Sequence, residues 1–415
     1  MRRSTTGTLA LAGFVVGSLW FAGVADAQQK GEILIGSQCD RTGPTQLVAT
    51  VFCPAVQDYV NLINAKGGVD GWKVRINEID NNYQVPAAVE GYERHRQEGA
   101  VSYLIWGTPQ AEALNPRLQK DRIPGTSPGF GSSAAANGAK YPYLFPLAAT
   151  YWSQAGAAIS FVKDKLGGDL KGKKIAYLYY DNPAGTEPLP ILKALQESEG
   201  YELRSFAVPP PGVEMSAQIL DIAQRFRPDF VLAHLFGRAP SVAIKGLKSS
   251  GFPLSKVLGF VWASSEADIA AAGGWGVTQG YHTMQFVGVG DDYPVIQEIK
   301  AMYQKAGKPP PKEMETSVYY NRGIQDAAVH IEALRNALTV TGGKAPTGED
   351  MKKGFEMIKD FTLGGLLPPL QVTPSDHEGG GFVQIFQVKG DKLVKETEWF
   401  RGYRDLVLKS VNAAS

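Results

Sequence analysis

Glu32-Ile-Leu-Ile-Gly36, Ser37-Gln-Cys-Asp-Arg-Thr-Gly-Pro44, the helical repeat Val56, Tyr59, Val60, Ile63, the turn Asn64-Ala-Lys-Gly-Gly-Val-Asp-Gly71 and the alternating run Trp72-Lys-Val-Arg-Ile-Asn-Glu-Ile79 follow one another without a gap. A short apolar run, a polar glycine-bearing turn, an amphipathic helix from Phe52 to Ile63, a glycine stop and a period-two run give strand, helix, strand. Repetition of that unit along the chain predicts parallel sheets covered by helices.

The repeats continue downstream. Helical spacing runs over Val85 to Glu98 and Ala111 to Lys120, with a buried strand at Val101-Ser-Tyr-Leu-Ile-Trp106 between them. After Tyr141-Pro-Tyr-Leu-Phe-Pro146 a second series opens, with strands at Lys174–Tyr180, Tyr201–Val208, Asp229–His234 and Val257–Val261. Helices at Tyr151–Leu166, Leu189–Glu199, Ser216–Phe226 and Ser241–Ser250 separate them. An extended segment at Gly280–Phe286 then leads to helices at Val295–Ala306 and Val318–Leu338. The proline runs at 209–211 and 309–311 read as stiff surface loops.

Upstream, Arg2 and Arg3, an apolar segment from Leu9 to Ala25 and the small-x-small triplet Ala25-Asp-Ala27 form a secretory signal peptide over residues 1–27, with cleavage expected after Ala27. The alternative, a membrane anchor, is marginal in length and rich in glycine. An oxidising compartment would let the two cysteines, Cys39 and Cys53, pair, closing a loop worth about 3 kcal/mol. Two buried thiols are the alternative, and no histidine lies near enough in sequence to suggest a metal.

With 415 residues, 44% of them hydrophobic, the chain is long enough for two full cores. Its 42 basic and 41 acidic residues nearly cancel and form no long blocks, so nucleic acid is not an expected partner. Enzymatic signatures fail one by one. Gly125-Thr-Ser-Pro-Gly129 is out of register for a nucleophile elbow. Gly167 to Lys173 has phosphate-loop spacing but is followed by Lys174 where Ser or Thr is required. The histidines are scattered without metal-ligand spacing. No cofactor is called for, and His377 is the one histidine with a loop setting that suits a functional role.

The order of these segments resembles the periplasmic solute-binding proteins of the leucine/isoleucine/valine-binding type, the type I periplasmic binding proteins. The resemblance rests on Ile33-Leu-Ile-Gly36, Arg41-Thr-Gly-Pro44, Leu62-Ile-Asn-Ala-Lys-Gly-Gly-Val-Asp-Gly71, Asp80-Asn-Asn82, Ile123-Pro-Gly-Thr-Ser-Pro128, Tyr180-Asp-Asn-Pro-Ala-Gly185 and Thr373-Pro-Ser-Asp-His-Glu-Gly379. It implies an α/β protein with two doubly wound parallel-sheet lobes joined by a three-strand hinge, closing on a small-molecule ligand. It also implies a periplasmic monomer that delivers this ligand to an inner-membrane ABC permease and its ATPase. The expected lobes are residues 28–146 with 282–362, and 147–281 with 363–415, with crossings near Phe145, near Tyr281 and between Leu363 and Pro374.

Loops at the carboxyl ends of parallel strands face such a cleft, and helix starts there offer free amides to an anion. In the first lobe this selects Arg41 and Thr42, Trp106, Gly107 and Thr108, and Ser127 to Phe130. Arg41 would otherwise be a surface ion pair, and Trp106 plain core. In the second lobe it selects Asn182 and Ala184, Phe236 and Arg238, and Trp262, with Tyr151 in an aromatic wall. The sequence departs from the amino-acid binders at two points. Trp262 stands where their pattern has the acid that holds the ligand ammonium, and Ala184 where a tyrosine is expected. Enclosing an ammonium without an acid costs several kcal/mol, while a tryptophan face favours an apolar or aromatic carboxylate. Glu266 stays open as a substitute acid, so an amino acid or amide remains the alternative ligand, and a sensor for a membrane receptor the alternative role.

Overall fold

The computed structural model describes Met1 and residues 29–414. The signal peptide and its cleavage site otherwise lie outside the described residues. Five strands, β1 (Gly31–Cys39), β2 (Trp72–Asp80), β3 (Ser102–Leu104), β4 (Gly125–Thr126) and β5 (Leu144–Phe145), form an all-parallel sheet in the order β2-β1-β3-β4-β5. A second sheet contains β6 (Lys174–Tyr180), β7 (Glu202–Val208), β8 (Phe230–His234), β9 (Val257–Gly259), β10 (His282–Gln285), β11 (Gln384–Lys389) and β12 (Lys392–Lys395).

Its order is β12-β11-β10-β9-β8-β6-β7, parallel from β7 to β10 and antiparallel beyond. The parallel parts of the two sheets therefore share one winding. Each reverses direction beside its first strand, between β1 and β3 and between β6 and β8, and these switch points are where open α/β sheets receive ligands.

Three differences from the sequence reading have physical causes. The boundary placed at residue 281 is displaced, because His282–Gln285 is hydrogen-bonded between β9 and β11 and so belongs to the second sheet; the crossing comes after Gln285. The Ser216–Phe226 helix is α-helical only over Ser216–Leu220 and widens into a π-turn over Asp221–Phe226, closed by Arg227 N donating to Ile222 O. The Val257–Val261 strand stops at Gly259 because the chain doubles back: a Cβ there would fall 2.2 Å from Ala263 O and 2.3 Å from the Tyr281 hydroxyl. Val261–Ala263 becomes a tight 3₁₀ turn instead.

Where the chain passes between the sheets, buried polar groups tie the passages together. His377 is fully buried, stacked 3.8 Å from Phe145, and shares contacts of 3.0 Å with Leu144 O and 3.2 Å with Glu356. Glu378 accepts from Thr150 N at 2.8 Å and pairs with Arg404, which also reaches Asp376. The loop histidine is thus part of the frame.

Cys39 at the end of β1 is disulfide-bonded to Cys53 in the helix Gln46–Ala65, and both are buried. The bond fixes the β1 turn to the helix that follows it. With the cysteines 14 positions apart in sequence, reduction under native conditions should lower unfolding free energy by about 3 kcal/mol. Urea denaturation with and without reductant checks this, and a midpoint indifferent to reductant would contradict it.

Candidate functional site

Between the two switch points lies a small cavity, about 40 Å³ counted as positions open to the centre of a water-sized sphere. The first sheet contributes Thr45 and Val48 after β1, Tyr83 after β2, Trp106, Gly107 and Thr108 after β3, and Phe130 after β4. Facing them are Tyr151 at the start of helix Tyr151–Lys165, Phe236 after β8 and Trp262 after β9.

Local chemistry explains how each is held. Asp40 accepts from Thr45 N at 2.7 Å and from its hydroxyl at 2.6 Å, and Thr45 Oγ1 in turn accepts from Trp106 Nε1 at 2.8 Å. Asn81 donates to Trp106 O at 3.0 Å, and Phe52 packs edge-on against the ring at 5.2 Å. Trp106 is therefore wall and core together. Gly107 has φ +104°, and a Cβ there would meet Gln110 Oε1 at 2.0 Å, so the turn into helix Thr108–Asp121 requires glycine. Thr108 Oγ1 accepts from Gly131 N at 3.0 Å, joining the loops after β3 and β4.

Across the cleft the lobes touch. Trp262 Nε1 donates to Gly129 O at 3.1 Å, Ser133 N donates to Glu187 at 2.6 Å, and Tyr83 lies 6.3 Å from Phe236, which packs on Tyr180 at 4.3 Å. These contacts describe a closed cleft. None of the ten lining residues is charged, and six are aromatic. Burial pushes the hydroxyls of Tyr83 and Tyr151 well above the usual tyrosine range, so both are neutral donors at physiological pH.

Among the residues singled out in the sequence, Trp106, Gly107, Thr108, Phe130, Tyr151, Phe236 and Trp262 meet around this cavity. The others do not. Arg41 forms a two-pronged ion pair with Glu78 at 2.8 and 2.9 Å at the edge of the sheet, and Thr42 donates to Asp80 at 2.7 Å. Ser127 is buried without lining the space, and Asn182 caps the short helix Pro183–Thr186 by accepting from Gly185 N. Ala184 is buried in that helix, and Arg238 is exposed. Glu266 is engaged as well, accepting from Val318 N at 2.8 Å.

Three lining residues were not foreseen. Thr45 stands at the same strand end as Arg41, and a helix start after Pro44 was signal enough. Val48 lies one turn into its helix. Tyr83 depends on left-handed backbone at Asn82 and Tyr83, φ +48° and +54°, which the sequence does not announce.

The periplasmic binding protein family model matches residues 32–392. The chain belongs to the periplasmic binding protein family. It is a substrate-binding protein of the ABC-transporter type, and the family, which is one of solute-binding proteins rather than enzymes, implies a location outside the cytoplasm. A Leu/Ile/Val-binding protein homolog 7 of Brucella suis biovar 1 is 25% identical over 356 residues, 80% of this chain and 87% of the relative. A crystal structure from the Pseudomonas fluorescens group, described as an ABC transporter permease, superposes with TM-score 0.83 and 32% identity over 92% of this chain and 95% of that one. A branched-chain amino acid ABC transporter protein from Thermus thermophilus, with bound valine, gives TM-score 0.80 and 21% identity over 94% of this chain and 100% of that one.

Behind Trp262 in this periplasmic binding protein, Asp268 accepts from Ser265 N and Oγ, both at 3.0 Å, and from the Tyr319 hydroxyl at 3.1 Å. Burial nonetheless pushes its carboxyl up from 3.8 to about 6. A carboxyl whose folded pKa is raised leaves the fold fully stable below about pH 4, and costs stability as pH rises through 6. Asp268→Asn removes that cost. Relative to the native chain, its unfolding free energy should climb between pH 4 and pH 7 by up to about 3 kcal/mol, and a pH-independent difference in urea titrations would contradict this assignment.

Proposed function

We propose that this protein is the extracytoplasmic binding component of an ABC importer and that its cleft takes a small apolar or aromatic carboxylate. The observation that carries the reading is the lining itself, six aromatic rings and no acidic or basic side chain. A zwitterionic amino acid needs an anionic partner for its ammonium. Without one, desolvating that charge costs several kcal/mol.

A carboxylate is served differently. The start of helix Thr108–Asp121 turns its amide end toward the cavity at Gly107 and Thr108, and the Thr108, Tyr83 and Tyr151 hydroxyls surround the same space. Charge-assisted bonds from such donors contribute about 1.5 to 3 kcal/mol each. An apolar body of the ligand would lie against Trp106, Phe130, Phe236 and Trp262, where each square ångström removed from water adds about 25 cal/mol. Transport, rather than signalling, is favoured by the family. The inner-membrane permease and ATPase would be its partners, reached after export and removal of residues 1–27.

The second reading is a branched-chain amino acid, favoured by the Brucella relative and by the valine bound in the Thermus protein. A thermal-shift panel of benzoate-type and phenylpropanoid acids, medium-chain fatty acids, leucine, isoleucine and valine separates the two. Stabilisation of several degrees by an acid lacking an amine, with little from the amino acids, is expected. Stabilisation by the branched-chain amino acids alone would replace the first reading with the second.

A further inference from the structure

Arg322, on the first-lobe helix Val318–Thr341, is fully buried directly behind the cavity wall. Its guanidinium lies 5.0 Å from the ring centre of Trp262, 4.8 Å from Phe286 and 5.2 Å from Tyr319, inside an aromatic cage. It donates to Val261 O and to Gln285 Oε1, both at 2.6 Å, and its Nε has no partner.

Asp268 and Glu266 act on it through space, but neither reaches it as an ion-pair partner: they accept from Ser265, Tyr319 and Val318 instead, and Arg322 forms no ion pair among the described residues. Burial brings its pKa down only to about 10, so the charge persists at physiological pH. A buried, unpaired cation is costly. Beside an apolar cavity with no charge of its own, an anion in that cavity is the natural complement.

We infer that Arg322 is the positioning and charge-selecting residue of the cleft: it holds the Trp262 turn through Val261 O and makes the space in front of Trp262 favourable to a monoanion and unfavourable to an ammonium. The inference rests on the carboxylate reading above and names the residue that produces the discrimination. It requires no contact between Arg322 and ligand. The field acts through the ring, and cations stacked behind an indole also drain the negative face it would offer to a ligand ammonium.

The test uses matched ligands, 3-phenylpropanoate, 3-phenylpropanamide and L-phenylalanine, titrated calorimetrically into the native chain, Arg322→Met and Arg322→Lys. The native protein should prefer the acid over the amide by tenfold or more, and over phenylalanine by more. In Arg322→Met that acid-to-amide ratio should fall by about tenfold, the scale of one unit charge acting from roughly 9 Å, one ring thickness beyond its 5.0 Å stack on Trp262, at an effective dielectric near 20 with partial screening; Arg322→Lys should keep most of it. Both ligands weakening together at constant ratio would overturn the inference and leave Arg322 as packing alone. Should Arg322→Met not fold, Arg322→Gln against Arg322→Lys reads the same ratio. A native protein that binds the amide or phenylalanine in preference to the acid would overturn the carboxylate reading, and this inference with it.

Discussion

The cleft depends on Trp262 being held from both lobes. Its indole nitrogen donates to Gly129 O across the gap, its carbonyl lies 3.2 Å from the Tyr319 hydroxyl, whose one proton it shares with Asp268, and its ring lies on the Arg322 guanidinium. The turn that carries it exists because Gly259 lets β9 fold back at once. A side chain at residue 259 would push Ala263 and Tyr281 away and release the ring from its three supports. One backbone constraint in the second lobe therefore fixes a wall of the ligand space and its closure onto the first.

Such a design explains how a cavity without charged walls could still choose by charge. Neutral aromatic rings exclude water and lower the local dielectric, which lets a cation one layer behind them act at a distance that water would screen. Direct contact between Arg322 and the ligand would require opening the aromatic cage. Keeping the charge behind the ring also leaves the front surface apolar, so that shape and charge are selected by separate layers.

Much of this was legible because strand ends in parallel sheets have one possible role. The alternation around β1 and β2 gave the winding of the first sheet, and the same pattern after Phe145 gave the second. Trp106, Thr108, Phe236 and Trp262 follow strands whose ends face the cleft. Arg41 follows one too, yet it turned outward, because its side chain reaches back to Glu78, which the register pairs with Ser37, and finds there a carboxylate in water-accessible space. Position along the chain gave the loop but not the direction of its side chains. Arg322 was invisible for a related reason: a basic residue inside a helix reads as surface until the helix is seen to be buried throughout its first turns. The extent of the second sheet was misjudged by three strands: a short run such as His282–Gln285 fits a crossing as well as a ladder, and Gln384–Lys389 and Lys392–Lys395 join it from far along the chain.

The most direct test is to denature protein purified from its native compartment, without prior unfolding, and identify by mass spectrometry any small molecule released in proportion to the chain. A monoanionic acid with an apolar or aromatic body and no amine is the expected result. Release of leucine, isoleucine, valine or another zwitterion would contradict a cleft that selects by a buried cation behind Trp262.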